Sequence, residues 1–134
     1  MTELAFPPLT QRYLSSLIDG VLLVFFIVAV TVTLEGQSQG LSILRLSLVF
    51  GAILTYEPLL TSKAATVGQL VTGIRVRQLS EPSARISFGR AYLRSFVKVL
   101  LGWYSFLSMG FNKERRAVHD FAARSVVLHS AGLS

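Results

Sequence analysis

The sequence contains no cysteine, and only 15% of its 134 residues are charged. The first absence removes disulfides, thiolate metal ligands and thiol nucleophiles together. The second departs from soluble domains, in which about a quarter of residues are charged. Acidic side chains are the scarcest class, seven against thirteen Lys and Arg, which leaves a net charge of +6. The length has room for one domain. What the chain has in abundance is apolar residues, 51% of the total, which also excludes a disordered polymer. Apolar bulk with a basic surplus describes a small membrane protein whose charges gather where it meets water.

The apolar residues fall into three runs. Residues 13–34 carry one charge, Asp19, and about 20 apolar residues suffice to cross a bilayer core. The run is too long for the apolar core of a signal peptide, and no small-residue cleavage motif follows before Glu35. It reads as an uncleaved membrane helix. A short link with two glycines and no Lys or Arg leads to the second run, residues 41–61, with Arg45 near its start and Glu57-Pro58 near its end. A proline one turn from the end of a membrane helix is tolerated, because neighbours satisfy the freed carbonyl. Residues 62–90 are basic and differ in character. Within them Ile74-Arg75-Val76-Arg77 alternates with the period of a half-buried strand, and Ser80-Glu81-Pro82-Ser83 reads as a turn. The third apolar run, residues 91–111, is interrupted by Gly102 and Gly110, and Arg90, Arg94 and Lys98 form one helical stripe at its start. A second strand pattern lies at Ser125-Val126-Val127-Leu128. The expected fold is all-α and transmembrane, one domain over residues 1–134. It has two spanning helices and a third helical segment that is interfacial, re-entrant or spanning.

The positive-inside rule orients these pieces. The first link holds no Lys or Arg, residues 62–90 hold five, and the tail holds four. Two spans put the N-terminus and the basic stretch in the cytoplasm. A third full span would push the basic tail outside, so the charges favour a third segment that does not cross. Its basic stripe then suits a helix among anionic head groups. The strands around Val76 and Val127 would share the cytoplasmic side and could pair as a small sheet. Arg75, Arg77 and Arg90 are the expected head-group contacts. Trp103 and Tyr104 look like interfacial anchors. No aromatic residues interleave with the basic ones in a polar patch, so no nucleic-acid partner is expected.

Two acids lie inside apolar runs. A buried acid there costs about 2.5 to 3.5 kcal/mol on insertion scales and needs protein or water for a partner. Arg12 lies two turns before Asp19, about 10 Å away along the axis, too far for a direct pair in one helix. Arg94, Lys98 and Arg124 are the expected partners of Asp19, as a structural ion pair or around a carboxylate that exchanges a proton or cation. Glu57 sits at a similar depth, so the two carboxylates could share one site. His119-Asp120 has no metal-ligand spacing around it, and Asp120 reads as a helix cap or the partner of an arginine. No serine has a nucleophile context. Neither an enzyme nor a cofactor is expected.

Taken in order, these residues resemble the RDD family. Arg12 and Asp19 match its opening R-x(6)-D, and Asp120 in His119-Asp120 matches its later H-D. Thr66-x-Gly68 with Gly73-Ile74-Arg75-Val76 matches T-x-G-x(4)-G-[LI]-R-V. Arg90-Ala91-x-x-Arg94 resembles R-A-x-x-R, and Ser125-Val126-Val127 resembles T-V-V. Two positions depart: Gln69 stands where a lysine is common, and Arg124 where a glycine is usual. The resemblance implies an integral membrane protein, usually described with three spans, for which transport or cation/proton exchange is proposed. Two roles follow for this chain in a bacterial inner (cytoplasmic) membrane, with its N-terminus in the cytoplasm. One is proton or cation exchange at Asp19 and Glu57 within a homo-oligomer. The other is an accessory or assembly subunit that binds lipid head groups or a larger membrane complex.

Overall fold

Two helices of 25 residues, α1 (Leu9–Thr33) and α2 (Gln39–Lys63), dominate the computed structural model, which describes residues 5–133. Each is about 37 Å long at 1.5 Å per residue, enough to cross a hydrocarbon core of about 30 Å. Both begin earlier than their apolar runs do. The chain enters α1 from the extended Pro8, and Ser38 caps α2 by accepting from the Leu41 N–H at 3.2 Å. The rest of the chain leaves most of their apolar side chains uncovered; Phe25, for example, is 74% exposed. These are the two helices among the described residues long and apolar enough to cross a membrane.

Everything else gathers at one end of this pair. A six-residue helix, α3 (Val67–Thr72), follows α2 and packs on α1. Its start is a capping box in which Thr66 and Gln69 satisfy each other's backbone N–H groups. Gly73 ends it with φ +68°, a left-handed conformation that glycine adopts without steric penalty. Strand β1 (Ile74–Gln78) then pairs antiparallel with β2 (Ser125–His129), and Val76 faces Val127. The pairing expected between the two strand segments is therefore present. Ile74, Val76 and Val127 form a small core with Ile86, Ala91 and Ala123.

The third apolar run is a hairpin. Helix α4 (Phe88–Leu101) is capped by Ser87 and stops at Gly102, and a 3-10 segment, Gly102–Gly110, follows. At 14 residues α4 is about 21 Å long, shorter than a bilayer core. It runs along α2, with Ser95, Phe96 and Val99 beside Ile53 and Leu54. The 3-10 segment returns along α1, where Phe106 lies 4.8 Å from the Tyr13 ring and Met109 and Gly110 come level with Leu9 and Thr10. Residues 91–111 thus form a bent pair, the rest of α4 and the 3-10 segment, and neither piece is among the helices long enough to cross a bilayer core. The short helix α5 (Val118–Ala122) leads into β2. The side chain of Trp103 lies outside the described residues.

Arg124, between α5 and β2, has φ +49°. A non-glycine residue in that region carries about 1–2 kcal/mol of strain. Arg124→Gly is therefore expected to raise the thermal unfolding midpoint in detergent by a few degrees, while Gly73→Ala lowers it by a similar amount. A lower midpoint for Arg124→Gly would show that its side chain stabilises the turn.

Candidate functional site: a buried charge network beside a lone carboxylate

Four elements contribute charges to one buried cluster. Asp120, in the first turn of α5, is fully buried, and its Oδ2 pairs with the Arg12 guanidinium of α1. Its Oδ1 accepts from Arg94 Nε of α4 at 3.0 Å, and Oδ2 also accepts the Ala117 N–H at 3.0 Å. Asp120 is thus both the cap and the arginine partner that its context suggests. Arg94 reaches onward to Glu57 of α2, with Nη1 2.8 Å from Oε1, and Lys98 Nζ closes on Glu57 Oε2 at 3.0 Å. Burial by itself would raise the Asp120 carboxyl, but Arg12 and Arg94 outweigh it and hold the group well below the usual carboxylate range. Burial likewise opposes the charge of Arg94, and Asp120 with Glu57 restores it.

His119 sits inside the same cluster. Its Nε2 is 3.5 Å from Arg94 Nη2, and its Nδ1 is 2.5 Å from Ser105 Oγ. An arginine only donates, so Nε2 is the acceptor and Nδ1 carries the proton. Ser105 Oγ then accepts from both Nδ1–H and the His119 backbone N–H, at 3.1 Å for the latter. These bonds orient the ring. Burial pushes the imidazole down to about 3, so its 3.6 Å approach to Asp120 Oδ1 is no ion pair at neutral pH. Arg116 completes the cluster: its Nε donates to the Ser125 carbonyl at 3.0 Å, and its guanidinium lies 4.2 Å over the Phe121 ring. The sequence reading missed Ser105 and Arg116, whose roles depend on neighbours brought together only by the fold.

Asp19 stands apart from this cluster. Its oxygens accept from Tyr56 Oη at 2.9 Å, Thr66 Oγ1 at 2.6 Å and the Gly68 N–H at 2.8 Å. None of these donors is a cation, so the expected pairing of Asp19 with Arg94, Lys98 or Arg124 is corrected. Arg94 and Lys98 are engaged by Glu57 and Asp120, and Arg124 is exposed with no ion pair among the described residues. The contact to Gly68 depends on a close approach, since a Cβ there would run into the Ser15 carbonyl of α1. Asp19 and Glu57 do line one polar crevice, with Ser15, Ser16 and Lys98, but each carboxylate holds its own donors.

The basic stripe of α4 also points elsewhere than expected. Arg94 is buried and Lys98 is partly buried against Glu57, so these charges face protein and not lipid head groups. Arg90 donates to Gln78 Oε1 at 3.4 Å, and Arg75 to the carbonyls of Gln69 and Ile74 at 3.2 and 2.7 Å. The buried Nε of Arg77 has no hydrogen-bond partner among the described residues. Among the described residues no group of three or more His, Asp or Glu side chains is placed to hold a metal ion.

Two outcomes follow. Removing the Asp120 charge leaves Arg12 and Arg94 buried with one acid fewer, which for a buried pair costs about 3–5 kcal/mol. Asp120→Asn is expected to lower the unfolding midpoint sharply or abolish the folded state in detergent; a loss under about 1 kcal/mol would refute this account. For His119, the folded value lies below that of the unfolded chain, so the unfolded chain takes up the proton first. Stability is then full above about pH 6.5 and falls as pH drops toward 3. Between pH 7 and pH 5 the loss is about 2 kcal/mol, and thermal melts of His119→Asn should lack that slope.

The RDD family model matches residues 6–124. No curated protein and no solved structure matches the chain. The matched span is most of the sequence and contains Arg12, Asp19 and Asp120, the first two on α1 and the third at the centre of the charge network. The chain belongs to the RDD family.

Proposed function

We propose that the protein is a non-enzymatic, membrane-embedded transport domain in which Asp19 exchanges a proton or a cation. The observation that carries this reading is the donor set of Asp19: a tyrosine, a threonine and a backbone N–H, with no cation among them. A carboxylate at that depth in an apolar helix is costly, and a proton or metal cation arriving from the crevice would neutralise it. Glu57 and Lys98 on the crevice wall tune its field, while Arg94 and Asp120 hold the wall in place. Two long helices do not enclose a pathway, so the working unit is a homo-oligomer packed through their uncovered apolar faces. In a bacterial inner membrane the basic end of the fold, with the N-terminus, lies in the cytoplasm.

An accessory role in a larger membrane complex is the second reading. It is favoured by the same uncovered faces of α1 and α2, which suit a partner protein as well as a second copy.

Ion flux separates them. Proteoliposomes holding a pH-sensitive dye are challenged with a proton gradient and then with sodium or potassium gradients. Native protein is expected to dissipate at least one gradient, and Asp19→Asn to reduce that flux at least tenfold with unchanged oligomeric state. Equal flux in both proteins, or none in the native one, excludes the transport reading.

A further inference from the structure

We propose that the outer face of β1 is a binding site for a phosphate group, formed by Arg75, Arg77 and Arg85. The site is distinct from the Asp19 crevice and does not depend on the transport reading. Ile74 and Val76 point into the core, so Arg75 and Arg77 share the opposite face of the ribbon. The turn after β1 folds back to bring Arg85 across from Arg77 in an isolated antiparallel bridge, a register that sets the two side chains on one face. The turn is held by the Gln78 side chain, which donates to the Arg85 carbonyl at 2.8 Å, and by its backbone N–H, which donates to the Ala84 carbonyl at 3.3 Å. Like charges directly opposite in a sheet are destabilising, and here three converge.

Arg75 donates to the Gln69 and Ile74 carbonyls, but among the described residues no acid is set against the three charges. None of the three forms an ion pair there. Arg77 Nε is buried without a hydrogen-bond partner, an arrangement that is destabilising unless a ligand supplies one. Burial, and then the fields of Arg85 and Arg75, hold the Arg77 guanidinium below its ordinary value. A tetrahedral oxyanion would reverse each of these penalties, because guanidinium forks match phosphate oxygens in a bidentate geometry. The flanks suggest where such a group comes from. Leu70 and Val71 of α3, the helix that packs on β1, are exposed, which is suited to the boundary between acyl chains and head groups. The phosphodiester of an anionic lipid and free inorganic phosphate are the two sources of this chemistry.

The test uses the full chain in mild detergent and follows its unfolding midpoint. Dioctanoyl phosphatidylglycerol, inorganic phosphate and dioctanoylglycerol, which has the same acyl chains and no phosphate, are titrated separately. A saturable rise with the phospholipid and not with dioctanoylglycerol is expected, with apparent affinity about tenfold weaker in Arg77→Gln and unchanged in Arg45→Gln on α2. Should Arg77→Gln fail to fold, Arg85→Gln, at an exposed position, serves the same purpose. A rise with phospholipid alone assigns the site to a lipid; an equal rise with inorganic phosphate assigns it to the free ion. No rise with either ligand overturns the proposal, as does a rise of equal affinity in both arginine variants.

Discussion

Asp120 is a carboxylate with no access to solvent, and its burial is the constraint on which the remaining architecture turns. Taking an ion of that size out of water costs several kcal/mol unless attraction and hydrogen bonds replace its hydration. One arginine does not complete the shell: Arg12, Arg94 and the Ala117 N–H together fill it. The second arginine then brings a surplus positive charge, which Glu57 balances, and Glu57 in turn takes Lys98. Each neutralisation recruits an element, so the ion pairs run from α1 through α5 and α4 to α2. Two acids, Asp120 and Glu57, are thus shared among three bases, Arg12, Arg94 and Lys98.

The pattern of apolar residues made the long helices legible; alternation marked β1, an apolar patch marked β2, and their expected place on one side of the membrane pointed to their partnership. The signals were strong because burial on one face repeats with a fixed period. The bend at Gly102 was visible only as an interruption, because a glycine marks where a helix can stop without saying which way the chain leaves. For side-chain partners the sequence was a poorer guide. Arg90, Arg94 and Lys98 share a face by spacing alone, but a polar stripe that meets lipid phosphates and one that meets buried acids have the same period. Asp19 was matched to arginines because charge suggests charge. Its actual donors, Tyr56, Thr66 and Gly68, are neutral and come from segments whose approach depends on a missing Cβ.

The signature positions of the family acquire separate physical duties here. Arg12 and Asp120 are one contact, made across the fold, whereas Asp19 belongs to a different contact that docks α3. Thr66 serves both sides of that second contact, capping α3 through one lone pair and donating its proton to Asp19. The motif around Thr66 and Gly68 is therefore the other half of the Asp19 site. Gln69, where lysine is common, bonds Thr61 and the Thr66 backbone, so in this chain a neutral network replaces a charge beside the crevice. Arg124, the other departure, keeps the left-handed backbone that a glycine would supply.

The distance in sequence between Arg12 and Asp120, 108 residues, has a consequence for biogenesis. At synthesis rates of about 5 to 20 residues per second, roughly 5 to 20 s separate the appearance of the arginine from that of its carboxylate. During that interval α1 and α2 are already made, and the Arg12 guanidinium lacks the carboxylate that pairs with it in the finished fold. The network can close only when α5 has delivered the anion, and the ribbon only when β2 is there to pair with β1. A chain that stops before residue 120 leaves Arg12 and Arg94 without the carboxylate that joins them.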